Sequence, residues 1–141
     1  MTDAHEDERE RILERKKQEL LEQHGGTSNE SNVPDVPDEP IEVRDAAHLE
    51  ELRSTYPVLL LDCYADWCGP CQMMEPTVQD LATESDAAVA KLDVDANQRI
   101  AQQLGARGVP TFVVFADGEP IDRVVGAQDR ATLEGLIERA R

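Results

Sequence analysis

The amino-acid sequence predicts an α/β domain with a central mixed β-sheet flanked by α-helices. After residue 40, apolar clusters alternate with amphipathic stretches, which is typical of strands and helices that follow one another along the chain. The near-continuous apolar run Val58–Tyr64 indicates a strand buried on both faces. Asp117-Gly118 lies between the last two apolar runs and is a strong hairpin signal. Alternating strands and helices that end in a hairpin predict a mixed sheet covered by helices.

Residues 1–40 differ from the rest of the chain and are predicted to be a charged, mostly disordered extension. Residues 6–22 carry a narrow apolar stripe at a spacing of seven, which predicts a helix. Residues 25–40 are rich in Gly, Ser, Asn and Pro and are typical of a flexible linker. Two interpretations of the extension stay open: a solvated appendage, or a helix that docks on a partner or associates with a second copy of itself.

Residues 41–141 are expected to form one folded domain, because 101 residues suffice to bury a core. The predicted strands are Ile41–Val43, Val58–Tyr64, Ala88–Val94, Thr111–Phe115 and Ile121–Val125. The predicted helices are Ala46–Leu52, one from Cys68–Pro70 to about Thr83, one capped by Asn97 that extends through Leu104, and a final one capped by Asp129.

The chemistry of the sequence is concentrated in its cysteines. Cys63, Cys68 and Cys71 are too few, and odd in number, for a disulfide framework. Cys68-Gly69-Pro70-Cys71 follows the buried strand directly and begins a helix, where free N–H groups and the helix dipole favour a thiolate. Two intervening residues let the sulfurs close a small ring. We therefore expect Cys68 to be the exposed nucleophile and Cys71 the shielded resolving thiol.

Zinc binding is the competing use of two cysteines at this spacing. A zinc site needs two further ligands, usually a second such pair or two histidines. His5, His24 and His48 are scattered along the chain. The sequence therefore predicts no metal, and no cofactor other than the Cys68–Cys71 dithiol–disulfide pair.

The segment Trp67-Cys68-Gly69-Pro70-Cys71, with Asp62 upstream and Val109-Pro110-Thr111 downstream, resembles the thioredoxin family. The resemblance covers residues 41–141, and its separate motifs occur in the family's order. It implies the thioredoxin fold, and the activity of a thiol–disulfide oxidoreductase that reduces protein disulfides.

The resemblance also implies a proton acceptor. Asp62 matches the family's buried aspartate, which takes the proton from the resolving cysteine, and a buried carboxylate with a raised pKa suits that role. Lys91 matches the lysine that modulates this carboxylate, and it is the only lysine after residue 40. The alternative for Lys91 is an ordinary surface residue on a strand.

A shallow groove for an extended substrate segment is the third implication. Pro110 matches the family's cis-proline, and the backbone of Val109 would pair with the substrate. The residues expected around this groove are Trp67, Gly69, Pro70, Gly108, Val109, Pro110, Gly126 and Ala127. For the glycines the alternative is an ordinary role in turns.

Two positions depart from the family pattern. Tyr64 stands where a second tryptophan is usual, and we expect little loss of function because the aromatic bulk is kept. Cys63 stands where a large apolar residue is usual, and strand alternation turns it to the face opposite Asp62. A buried thiol is therefore expected, with a third redox thiol as the alternative.

Charge and hydropathy restrict the partners. The chain has 30 acidic and 14 basic side chains, a net charge of −16, which would repel nucleic-acid phosphates and anionic lipids. No apolar run approaches the roughly 18 residues of a membrane span, and the first residues lack a signal-peptide pattern. We expect a soluble, cytoplasmic monomer that receives electrons from a thioredoxin reductase-type donor and reduces disulfide-containing client proteins. A disulfide isomerase or oxidase, and a binding subunit with incidental cysteines, are the alternatives.

Lysine is scarce, since only Lys16, Lys17 and Lys91 occur among the 14 basic residues. Many carboxylates with few lysines are typical of a protein kept soluble at high ionic strength, where salt screens self-repulsion. The alternative is an ordinary acidic cytosolic protein.

The high-salt interpretation predicts that the thermal unfolding midpoint rises from low salt to molar sodium chloride, because screening weakens repulsion among the excess carboxylates. Thermal unfolding at several chloride concentrations measures this, with a neutral osmolyte of equal osmolality as the control. A midpoint that does not respond to salt would favour the ordinary acidic protein.

Overall fold

The computed structural model describes residues 35–141, so the helix predicted over residues 6–22 lies outside the described residues. The strands are β1 (Ile41–Glu42), β2 (Val58–Tyr64), β3 (Ala88–Asp93), β4 (Thr111–Ala116) and β5 (Glu119–Val125). The helices are α1 (Ala46–Thr55), α2 (Gly69–Glu84), α3 (Gln98–Gln103) and α4 (Arg130–Ala140). All nine elements match predicted ones, with ends that differ by a few residues.

The five strands form one mixed sheet in the order β1-β3-β2-β4-β5. Strands β1 and β2 both run parallel to β3, whereas β4 runs antiparallel to β2 and to β5. The hairpin between β4 and β5 turns at Asp117 and Gly118, whose φ angles of 52° and 86° are those that a two-residue hairpin turn requires. The predicted mixed sheet and its hairpin are confirmed.

The core lies in two layers, one on each face of the sheet. On one face, Leu60 and Phe112 pack against apolar residues of α2 and α4. On the other face, Leu59, Leu61 and Cys63 pack against residues of α1 and α3. Because successive residues of β2 point to opposite faces, its apolar run supplies both layers.

Of the two helix caps predicted from the sequence, one makes its capping hydrogen bond and the other does not. Asp129 caps α4, since its side chain accepts from the Thr132 N–H at 2.8 Å. Asn97 stands at the N-cap of α3 but makes no capping bond there, so that prediction is wrong. Its amide instead donates to the Asp93 carbonyl at 3.1 Å, which turns the side chain back toward the preceding strand.

Residues 35–40, which composition assigned to the linker, contact the domain. Val36 packs against the core layer under α1 and α3. The Asp38 carbonyl accepts from the Thr83 hydroxyl of α2 at 3.1 Å. None of the helices within residues 35–141 combines the length and the apolar character that crossing a membrane would need.

Candidate active site

The two cysteines lie where β2 passes into α2. Cys68 is the N-cap of α2, and its Sγ accepts from the Cys71 N–H at 3.1 Å. A disulfide joins Cys68 to Cys71, with their Cα atoms 5.2 Å apart. Pro70 falls in the first turn, where its missing N–H removes no helical hydrogen bond. A sulfur at this position therefore lies against free N–H groups at the positive end of the helix.

The exposure of the cysteines differs from the prediction. Cys68 was expected to be exposed and Cys71 shielded, but in the disulfide form their exposed fractions are 3% and 4%. Both belong to a small apolar cluster with Ala65, against which Val94 and Val109 pack. The prediction of an exposed Cys68 is wrong for this form, because side chains from distant segments cover it.

Asp62 is a carboxyl group buried on the sheet face that α2 covers. Its exposed fraction is 1%, and its Oδ1 atom is buried without a hydrogen-bond partner. Burial raises the pKa of Asp62 from 3.8 to about 7, with Lys91 acting to lower it and Glu75 and Glu42 to raise it. Asp62 therefore gains and loses a proton near neutral pH.

Lys91 lies next to Asp62 in register on the neighbouring parallel strand, so both side chains leave the same face of the sheet. The Lys91 Nζ is 3.7 Å from the Glu75 Oε2 atom and 4.4 Å from the centre of the Tyr64 ring. The Tyr64 hydroxyl donates to Glu42 at 2.7 Å. Its register and its charge make Lys91 part of the surroundings of Asp62.

An exposed tryptophan borders a shallow groove beside the cysteines. Trp67 is 71% exposed, and its Nε1 donates to Asp95 at 2.8 Å. The groove is lined by Trp67, Val94, Ala106, Arg107, Gly108 and Val109. The Val109–Pro110 peptide bond is cis, as the resemblance implies.

Five residues of the predicted groove lie outside its lining: Gly69, Pro70, Pro110, Gly126 and Ala127. Gly126 and Ala127 do not line it; the Gly126 N–H donates to the Pro110 carbonyl at 2.7 Å. Gly126 has a φ of 95°, which favours glycine. Gly69 begins α2, and a Cβ placed there would meet nothing within 4 Å. The positive φ of Gly126 therefore gives that glycine a role in backbone conformation, whereas the space around Gly69 is open.

Sequence reasoning missed four residues of this groove or its rim: Val94, Asp95, Ala106 and Arg107. Ala106 and Arg107 immediately precede Gly108, so the chain itself offered a signal for them. Val94 and Asp95 follow the carboxyl end of β3, which lies beside the carboxyl end of β2 because the strands are parallel. The position of Val94 and Asp95 near the cysteines could therefore be predicted from the parallel pairing of β2 and β3.

Cys63 has the environment that strand alternation predicts. Its exposed fraction is 0%, and it packs in the core layer on the face opposite Asp62. Burial, reinforced by the charge of Asp62, raises the pKa of the Cys63 thiol to about 12. A thiol that stays protonated and inaccessible is a core residue, so the expected burial is confirmed.

Metal ligands do not gather in the part of the chain that the structure describes: within residues 35–141 no group of three or more His, Cys, Asp and Glu side chains is arranged to hold an ion. His48 accepts from the Arg44 N–H at 3.0 Å. His5 and His24 lie outside the described residues.

A disulfide at the start of a helix, at the edge of a mixed sheet that also buries a titratable carboxyl group, defines a class of protein. That class is the protein-disulfide oxidoreductases.

Comparisons with known proteins identify the family. The family model described as Thioredoxin matches residues 39–139. A thioredoxin from Mycobacterium tuberculosis is 42% identical over 95 residues, which cover 66% of this chain and 82% of that protein. A solved mutant thioredoxin from Halobacterium salinarum NRC-1 has a TM-score of 0.74 at 54% identity, covering 76% of this chain and 95% of that one. A bifunctional thioredoxin reductase/thioredoxin from Mycobacterium leprae is 40% identical over 95 residues, or 66% of this chain and 21% of that protein.

The chain belongs to the thioredoxin family. The predicted fold and the predicted thiol–disulfide oxidoreductase activity are confirmed.

The buried carboxyl group predicts a pH-dependent stability. Between about pH 4 and pH 7 the folded state holds a proton that the unfolded state has lost, so the free energy of unfolding falls as pH rises through this interval. Asp62→Asn removes this effect. The variant is expected to be more stable than the parent at pH 8, by up to roughly 4 kcal/mol, with a smaller difference at pH 4.

Urea unfolding of the oxidised proteins at both pH values measures this, and Asp66→Asn, at an exposed aspartate, is the matched control. An Asp62→Asn difference that is equal at pH 4 and pH 8 would contradict the raised pKa.

Proposed function

We propose that this protein is a general disulfide reductant that carries electron pairs from a reductase to client proteins through Cys68 and Cys71. The observation that carries the proposal is the disulfide at the first turn of α2, where the Cys71 N–H already donates to the Cys68 sulfur. The same N–H and the helix dipole stabilise a thiolate on Cys68 once the disulfide is reduced.

The proposed reaction has two exchange steps. The Cys68 thiolate attacks one sulfur of a client disulfide, which forms a mixed disulfide and releases the other client sulfur as a thiolate. The Cys71 thiol loses its proton and attacks the Cys68 sulfur, which restores the Cys68–Cys71 disulfide and releases the second client thiolate. Two electrons pass to the client, and a reductase returns two to this protein.

Asp62 is proposed to accept the proton that Cys71 loses in the second step. A base is most effective when its pKa is close to the working pH, and burial brings the pKa of Asp62 to about 7. Lys91, beside it in register, is proposed to modulate that proton affinity.

The groove is proposed to hold the client chain during the reaction. The exposed Trp67 ring and the backbone of Gly108 and Val109 border it, so an extended client segment has an apolar surface and backbone groups to bind. Pro110 would fix the Val109 backbone beside the disulfide, and Gly69, Pro70, Gly126 and Ala127 would shape the surrounding turns.

The electron donor is proposed to be a reductase of the thioredoxin reductase type. The relative from Mycobacterium leprae is named for both activities in one chain, which supports such a donor. We also propose that the protein is a cytoplasmic monomer and that residues 1–40 are a charged extension of the folded domain.

Cys71→Ser tests the proposed reaction. Without the resolving thiol, Cys68 still attacks a client, but the mixed disulfide persists, so turnover in an insulin disulfide reduction assay is expected to stop. Covalent adducts between Cys68 and clients should accumulate and disappear on treatment with a strong reductant.

Cys63→Ala is the control, because it removes the buried cysteine and leaves the reacting pair. If Cys71→Ser and the parent support a partner's activity equally, the protein acts as a binding subunit. If the pair oxidises rather than reduces clients at the measured potential, it acts as an oxidase or isomerase.

Asp62→Asn tests the proposed base. At pH 7 the release of client from the mixed disulfide is expected to slow by about 100-fold, the lower end of general-base effects. The deficit should shrink toward pH 9, where Cys71 ionises without help. Stopped-flow measurement of the second step across pH decides this, with Asp66→Asn as the control, and an unchanged rate at pH 7 would remove the base role.

A further inference from the structure

Three charged residues form a row across one face of the sheet. Glu42 of β1 is in register with Lys91 of β3, and Lys91 is in register with Asp62 of β2. Neighbours in register on parallel strands share a face, so the row alternates negative, positive and negative. On the other edge of β2, Asp62 is in register with Phe112 of β4, which carries no charge.

Glu75 reaches this row from the helix above it. It lies four residues after Cys71 on α2, and its Oε2 atom is 3.7 Å from the Lys91 Nζ. The Tyr64 ring lies under the same ammonium group at 4.4 Å and also packs against the cluster that holds the disulfide. The Lys91 ammonium therefore lies between a carboxylate and an aromatic face.

Asp62 does not have this ammonium group as a direct partner. Among the described ion pairs, Lys91 is within 4.0 Å of Glu75 and of no other carboxylate. The Oδ1 atom of Asp62 stays buried without a partner. The Lys91 ammonium group therefore pairs with the exposed Glu75 carboxylate and not with the buried Asp62.

The pairing of Lys91 with Glu75 affects the pKa of Asp62. An ammonium group in direct contact with a carboxylate stabilises the charged form and lowers the pKa of that carboxylate by about 1–3 units. Such a pair at Asp62 would make it a weak base at neutral pH. A carboxylate that holds Lys91 away therefore preserves the proton affinity of Asp62, and its own negative charge acts in the same direction.

We propose that Glu75 is a positioning residue that holds Lys91 and thereby sets the pH range over which Asp62 accepts a proton. The inference rests on the proposed base role of Asp62. The charged and titratable groups around Asp62 are Lys91 on β3, Glu42 on β1, Glu75 on α2, and Cys63 and Tyr64 on its own strand.

Glu75→Gln is the test, read out by NMR titration of the Asp62 carboxyl carbon in low-salt buffer. The side chain is 58% exposed, so the substitution removes charge without disturbing the core. The pKa of Asp62 is expected to fall by roughly 0.5–1 unit, because Lys91 is freed to turn toward it. The acid limb of the pH–rate profile for client release should move to lower pH by a similar amount.

Two single variants and one double variant separate positioning from a general charge effect. Glu75→Asp keeps the charge on a shorter side chain and should recover part of the shift, whereas Glu51→Gln, at an exposed glutamate on α1, should cause none. In a Lys91→Met background, Glu75→Gln should shift the pKa of Asp62 by less than half as much, because the cation through which Glu75 acts is gone.

The outcomes distinguish this inference from the proposed function. An unchanged Asp62 titration in Glu75→Gln, or an equal shift with and without Lys91, would overturn the positioning role. A shifted titration with an unchanged pH–rate profile would uphold the positioning role and remove Asp62 as the base.

Discussion

The pairing of β2 on both of its edges is the constraint on which the rest of the structure depends. Strand β3 binds one edge and β4 the other, so the register of β2 is held from two sides. A slip by one residue would exchange the faces of every side chain on the strand. Asp62 would then enter the layer under α1 and α3, and Cys63 would take its place under α2. The register of β2 therefore determines which sheet face Asp62 occupies, and with it the surroundings of that carboxyl group.

Burial of Asp62 connects that register to function and also sets a cost. A carboxylate in an apolar core loses more hydration energy than a neighbouring ammonium group without direct contact returns, so the neutral acid is the stable form over a wider pH range. Its unpartnered Oδ1 marks the same compromise. A group that destabilises the fold when it ionises also exchanges protons near neutrality, which is the property that the proposed base role of Asp62 requires. The burial of Asp62 therefore affects both the stability of the fold and the proton affinity of this carboxyl group.

Features that depend on local sequence patterns could be predicted, whereas features that depend on contacts between distant segments could not. The strands, the Asp129 cap and the burial of Cys63 depend on local patterns, and these were predictable. The burial of Cys68 depends on Val94 and Val109, which reach it from the ends of other segments, and no local pattern reports that. Glu75 was missed for a similar reason: on α2 it looks like one of many exposed acids, and only the packing of α2 on the sheet brings it to Lys91.

The distribution of charge separates the outside of the domain from its site. On the surface, Arg130 contacts Asp80, Glu84 and Glu134, which gathers several carboxylates of α2 and α4 around one guanidinium. Such exposed contacts weaken as salt is added, since ions screen them over about 10 Å at 0.1 M. Asp62 is buried under the helix layer, and its proton affinity depends first on that burial. Salt is therefore expected to act on Asp62 mainly through the proposed Lys91–Glu75 contact, because the Glu75 side chain is 58% exposed, and to leave the larger effect of burial in place.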